Sequence, residues 1–225
     1  MHSPYEVPRL TVSHAPLSNV DADLIVIPIA QDQAAAAAAR YEAPLGDELT
    51  SALERGEFRG KPNEILVARP PAAWRAPRVV FVGSGPRADV TPERIRRIAV
   101  AAAQAARRHK RARIAWADVE PGTLGDAARI EMIAEGIVLA NFDNGVHKSR
   151  HDDAFFIREV IVCTPASAAG AVDAGRMIGE SVNSARVLVC PRRSIAPSGT
   201  CSRCTSTGAR DAVGAASHRT RGAGD

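Results

Sequence analysis

The sequence predicts an α/β protein: a three-layer α/β/α sandwich around a mixed, largely parallel sheet. Three observations carry this. Aliphatic runs of strand length alternate with longer stretches in which apolar residues recur at helical spacing. The run "ADLIVIPIA" (22–30) is aliphatic almost throughout, as expected for a strand covered on both faces. The chain has 225 residues, 45% of them hydrophobic but only 4% aromatic. That is ample for one core, and Val, Ile, Leu and Ala must build most of it.

In chain order, "RLTVS" (9–13) reads as a first strand and 22–30 as the buried one. Segment 31–46 is divided, because its alanines favour helix while Pro44 and Gly46 break one. "DELTSALERG" (47–56) sets Leu49, Ala52 and Leu53 at helical spacing, with Gly56 as a stop. "NEILVAR" (63–69) and "RVVFVGSG" (78–85) are strands. The clearest helix is 90–110: Thr91 is a good N-cap, and Pro92 fits the first helical position, where its missing N–H is not needed. Ile95, Ile98, Ala102, Ala105 and Ala106 form its apolar stripe, and Arg107, Arg108, His109 and Lys110 suit the negative end of its dipole. "RARIAWADV" (111–119) is the next strand. Residues 124–142 form a helix with Ile130, Ile133, Ile137 and Ala140 inward, 156–164 a strand, and 166–188 a last helix carrying Ala171, Ala174, Ile178, Val182 and Ala185.

The net charge is +4, and its location matters more than its size. Residues 190–225 hold six Arg and two Asp, so this tail carries the whole excess. The rest of the chain is balanced, 23 basic against 23 acidic, and has no net-charge case for nucleic acid. The tail has only Ile195 and Val213 as large aliphatics, too little to offset its ordering entropy, and is expected to stay disordered. The domain boundary falls at about residue 189. The N-terminus lacks the pattern of a signal peptide, and no stretch approaches the roughly 18 apolar residues of a membrane span. Cys163, in an aliphatic strand run, reads as a buried reduced thiol. A soluble cytoplasmic protein is expected.

Several patterns could carry chemistry, and each has a plainer reading. Cys190, Cys201, Cys204 and His218 could bind zinc, but a compact zinc module adds a second closely spaced pair and packing aliphatics. The tail's six Arg have no aromatic beside them to stack a base. Gly83, Ser84 and Gly85, followed by Ala88, fit a nucleotide-binding loop; Pro86 and the delay to Thr91 favour a tight turn. His147 and His151, beside Asp152 and Asp153, lack the glutamate of H-E-x-x-H and read as a solvated loop. Glu131 and Glu135, one turn apart, have no histidine or cleft marker with them. There is no G-x-S-x-G and no P-loop lysine, so the body reads as non-catalytic.

Five strings in order resemble the N-terminal domain of the cytosol (leucyl) aminopeptidase family. They are "DADLIVIPI" (21–29), "FRGKPNEILVAR" (58–69), "RVVFVGSGPRADVTPERIRRIAVAAAQAAR" (78–107), "AEGIVLANFDNGVHKS" (134–149) and "VNSAR" (182–186). Asn63 stands where that family usually has glycine, and Val146-His147 replace the residue before its lysine and its usual tyrosine. The resemblance implies a macro-domain-like fold that is not itself the seat of the chemistry, with residues 166–188 as the interdomain helix. It implies two divalent metals, zinc or manganese, bound in a separate catalytic domain; no position here inherits a catalytic or metal role. After "VNSAR" the sequence departs from the family's pattern into Cys190-Pro191-Arg192-Arg193, in a composition that a GC-rich gene gives when read out of frame. A frameshift or truncation is therefore expected. The expected partners are a catalytic domain or a second copy, met through an apolar surface on the last helix. The alternative is a free-standing macro-like domain that binds ADP-ribose or another nucleotide.

Overall fold

The structure, a computed structural model, describes residues 3–70, 74–118, 124–147, 154–164 and 168–189. All belong to the first of the two units into which the chain divides, Met1–Arg192. The elements run β1 (Arg9–Ser13), β2 (Leu24–Ala30), α1 (Ala34–Leu45), α2 (Glu48–Glu54), β3 (Ile65–Ala68), β4 (Val79–Gly85), α3 (Pro92–Arg108), β5 (Arg113–Ala117), α4 (Asp126–Ala140), β6 (Glu159–Cys163) and α5 (Ala169–Val189). The alanines decide the divided segment: α1 forms and runs through Pro44, ending one residue later.

The six strands form one sheet in the order β1-β6-β5-β2-β4-β3. Every pairing is parallel except that of β3 with β4. β2 lies between β4 and β5, and its side chains alternate between two cores. Leu24 and Val26 join Val80, Val82, Ile114 and Trp116 under Ile95, Ile98, Ile130, Ile133 and Ile137 of α3 and α4. Ile25, Ile27 and Ile29 join Phe81 and Ala115 under Ala37, Ala38, Tyr41, Leu49 and Ala52 of α1 and α2. The three layers are therefore α1/α2, the sheet, and α3/α4/α5. Aliphatics and alanine make up most of both cores, but the bulkiest fully buried side chains are aromatic: Trp116, Phe58 and Phe81.

Local signals in α3 act as their chemistry demands. Thr91 Oγ1 accepts from the Arg94 amide at 3.2 Å, and Pro92 opens the helix. Arg107 does more than complement the dipole of its own helix. It is half-buried over the Phe156 ring and donates to the carbonyls of Phe142 and Phe155, both at 2.7 Å. Burial holds its guanidinium below the usual arginine value.

Candidate functional site

A crevice opens where the chain leaves the C-terminal ends of β2, β4 and β5, the place where open α/β sheets hold ligands. Ala30, Ser84, Trp116 and Asp118 form its base, with Ile95, Ile98 and Arg129 above. Its enclosed space is about 50 Å³, far below the several hundred typical of a small-molecule pocket. A buried ion pair stands in it. Asp118 accepts from Arg129 Nε at 2.7 Å and Nη2 at 2.8 Å, and from Thr164 Oγ1 at 2.8 Å. Arg129 Nη2 also reaches Asp126, at 2.8 Å. These bonds, Asp118's first, outweigh desolvation and raise the basicity of the guanidinium. The pair ties β5, β6 and α4 together.

The Gly83-Ser84-Gly85 stretch does not form the tight turn expected of it. It continues β4, and the turn follows at Arg87–Asp89. The Gly83 amide donates to Glu64 O and the Gly85 amide to Gly60 O, both at 2.9 Å, so these two amides are not offered to a phosphate. Glycine is required at 83 because a Cβ there would stand 2.0 Å from Lys61 O. Ser84 is buried at the base of the crevice.

Helix α5 offers a different kind of site. Among the described residues, every exposed large hydrophobic lies on it: Met177 (59% exposed), Ile178, Val182, Val187 and Leu188 (80%). The apolar stripe read from spacing therefore points partly outward. Steric fit decides the orientation. The inward face carries Val172, Gly175, Gly179 and Asn183, and α4 lies so close that a Cβ on Gly175 would stand 2.2 Å from Glu131 O. Isoleucine and methionine do not fit in that gap, so they face outward. "VNSAR" gains a physical meaning here. Asn183 Nδ2 donates to Val138 O at 2.7 Å and Arg186 Nη1 to Leu139 O at 3.2 Å, both at the end of α4. Tyr5 OH pairs with Ser184 Oγ at 2.8 Å, so the N-terminal segment also holds α5.

The other candidates are dispersed. Glu135 is buried and bonded to Arg96 at 2.8 Å, while Glu131 is only half-buried, so the two do not act as a carboxylate pair. His147 ends a short turn at Asn144–His147; His151, Asp152 and Asp153 lie outside the described residues, as do Cys190, Cys201, Cys204 and His218. Cys163 is a buried free thiol whose pKa burial pushes up to about 11. Among the described residues no group of three His, Cys, Asp or Glu could hold a metal ion, and no helix is long and apolar enough to cross a membrane. Sequence pattern marked Arg107 only for the dipole of its own helix and did not mark Asp118 or Arg129, since the contacts of Arg107 and Asp118 reach 35 to 48 residues along the chain.

Comparison with known proteins gives a consistent picture. Residues 26–151 match the model of the cytosol aminopeptidase family, N-terminal domain. A probable cytosol aminopeptidase of Acidobacterium capsulatum is 26% identical over 80% of this chain. The chain spans only 39% of that relative's length. A tomato leucine aminopeptidase superposes with a TM-score of 0.68 at 18% identity, over 84% of this chain and 38% of its own. The macrodomain of Mycobacterium tuberculosis DarG superposes with a TM-score of 0.53 at 13% identity, over 71% of this chain and 99% of its own. At these identities both structures show the fold alone, a macro-like α/β/α sandwich. The family match extends over more than half of the sequence, and the chain belongs to the cytosol aminopeptidase family, as its N-terminal domain.

Proposed function

We propose that this domain is the non-catalytic docking module of a metal-dependent aminopeptidase, an enzyme that releases N-terminal amino acids from peptides, and that a separate catalytic domain carries the chemistry. The observation that carries this reading is the exposed aliphatic face of α5, Met177, Ile178, Val182 and Leu188. Large aliphatic side chains concentrated on one exposed helix mark an interaction surface. Without its partner domain, the same face supports self-association. The domain comprises residues 1–189, and α5 joins it to the catalytic domain. The likeness to a probable cytosol aminopeptidase of Acidobacterium capsulatum supports a cytoplasmic setting.

The two divalent ions of such a peptidase do not fit the donor sets of the described residues, where no three metal-binding side chains converge. They belong to the catalytic domain in this reading, and no step of the reaction is placed on this domain. The 225-residue chain incubated with leucine anilides and manganese should give no turnover; measurable hydrolysis would overturn the proposal. The nucleotide-binding alternative is disfavoured by the small crevice and by the occupied amides of Gly83 and Gly85. Calorimetry with millimolar ADP-ribose should register no heat, and a saturable isotherm would restore that alternative.

A further inference from the structure

On the helical layer, a groove of about 640 Å³ runs between α3, the end of α4 and α5. Val100, Leu139, Phe142 and Val182 give it an apolar lining, and Val182 also belongs to the exposed face of α5, so the two surfaces are continuous. Five charged residues line it: Arg96, Arg97 and Arg186 against Glu93 and Glu135. Four of them satisfy one another. Arg97 Nε bonds Glu93 at 2.7 Å, and Arg96 bonds Glu135 at 2.8 Å and also Glu93.

Arg186 is left over. Among the described residues it has no carboxylate partner, yet its guanidinium is held in place. Nη1 donates to Leu139 O at 3.2 Å and Asn183 Oδ1 at 3.1 Å, and the group stands 5.6 Å from the centre of the Phe142 ring. These contacts leave the Nε and Nη2 edge unused, the edge that receives a carboxylate in a two-pronged pair. Because the cation is already oriented, pairing loses less side-chain entropy than it would with a free arginine.

We infer that the groove seats a polypeptide segment of the partner catalytic domain that carries an apolar side chain beside a carboxylate, the first on Leu139 and Val182 and the second on Arg186. This rests on the docking reading above and specifies the partner's contact chemistry. An uncharged segment would bury the groove but leave Arg186 without a counter-charge.

The test uses the full chain, labelled with nitrogen-15, and two peptide probes, acetyl-Leu-Leu-Asp-amide and acetyl-Leu-Leu-Asn-amide. The Asp peptide is expected to shift the Arg186 Nε–H signal and the backbone signals of Leu139, Phe142 and Val182. It should bind about fivefold more tightly than the Asn peptide, because a charge-assisted pair exceeds a neutral one, and added salt should narrow the gap. Arg186→Gln should erase the preference, and Arg55→Gln, at the end of α2 in the opposite helical layer, should leave it intact. Equal affinity for the two peptides overturns the inference, as do shifts confined to other residues or an equal response to inorganic phosphate. The comparison of peptides on the unaltered chain stands even if Arg186→Gln misfolds. A failed peptide preference with an α5 face that still binds hydrophobic dye sinks the groove alone. A peptide preference without dye binding sinks the docking reading and leaves the groove as a peptide site.

Discussion

Asp118 accepts three side-chain hydrogen bonds, two from Arg129 and one from Thr164. Asp118→Asn leaves the buried guanidinium with only Asp126 as counter-charge, and breaking a buried pair in this way costs about 3 kcal/mol. Urea unfolding should show that loss; a change within about 0.5 kcal/mol would mean that Asp126 suffices. Cys163 behaves differently. Its thiol titrates near 11 rather than at the ordinary 9.0 because it is buried. In the folded chain at pH 8 it should resist iodoacetamide, read by site-resolved mass spectrometry. The folded state keeps this proton where the unfolded state releases it. The stability that depends on the thiol is therefore intact below pH 9 and is lost as pH rises toward 11. The stability difference between the chain and Cys163→Ala should shift over that window. Residues at this scale were legible where their work is local. Thr91 caps its own helix three residues away, whereas Arg107 reaches Phe155, 48 residues on, and no short pattern marks such a pair.

At the scale of elements, the helical layer depends on glycine. A Cβ on Gly136 would stand 2.5 Å from Arg96 O, and one on Gly175 2.2 Å from Glu131 O. Both positions allow helix backbones to approach closely. Gly175→Ala should therefore destabilise the chain by about 2–3 kcal/mol through overpacking, while Gly170→Ala, with nothing within 4 Å, should change stability little or raise it slightly. Thermal melts of the two variants separate close packing from helix propensity, and equal effects would refute the packing account. The α5 helix was legible from its spacing, but its inward face was not. Spacing finds an apolar stripe, whereas fit against α4 chooses the glycine side. Asn63 shows the converse. Its φ of 65° is left-handed, a conformation that asparagine tolerates and glycine prefers, which gives a physical reason for glycine in the corresponding place of the family's motif.

For the whole molecule, alternating strands and helices were enough to predict three layers and a mostly parallel sheet. The strand order was not readable. β1 lies beside β6, with Arg9 opposite Glu159, and such a long-range pairing leaves no local trace. The crevice at the strand ends was equally hidden, because its lining brings Ala30, Ser84, Asp118 and Arg129 together from four separate parts of the chain. The exposed apolar face of α5 combines both kinds of information, a helix found by spacing and an orientation set by packing.

The central claim is that the outer face of α5 is an interaction surface. It is tested most directly by sedimentation velocity with hydrophobic dye on the full chain and on the Met177→Glu, Leu188→Glu double variant. The account predicts dye binding and weak self-association for the chain. Both should be lost in the variant while its melting temperature is nearly unchanged, since both side chains are exposed. A chain that sediments as a single monomer without binding dye, or a variant that behaves as the parent does, would contradict it.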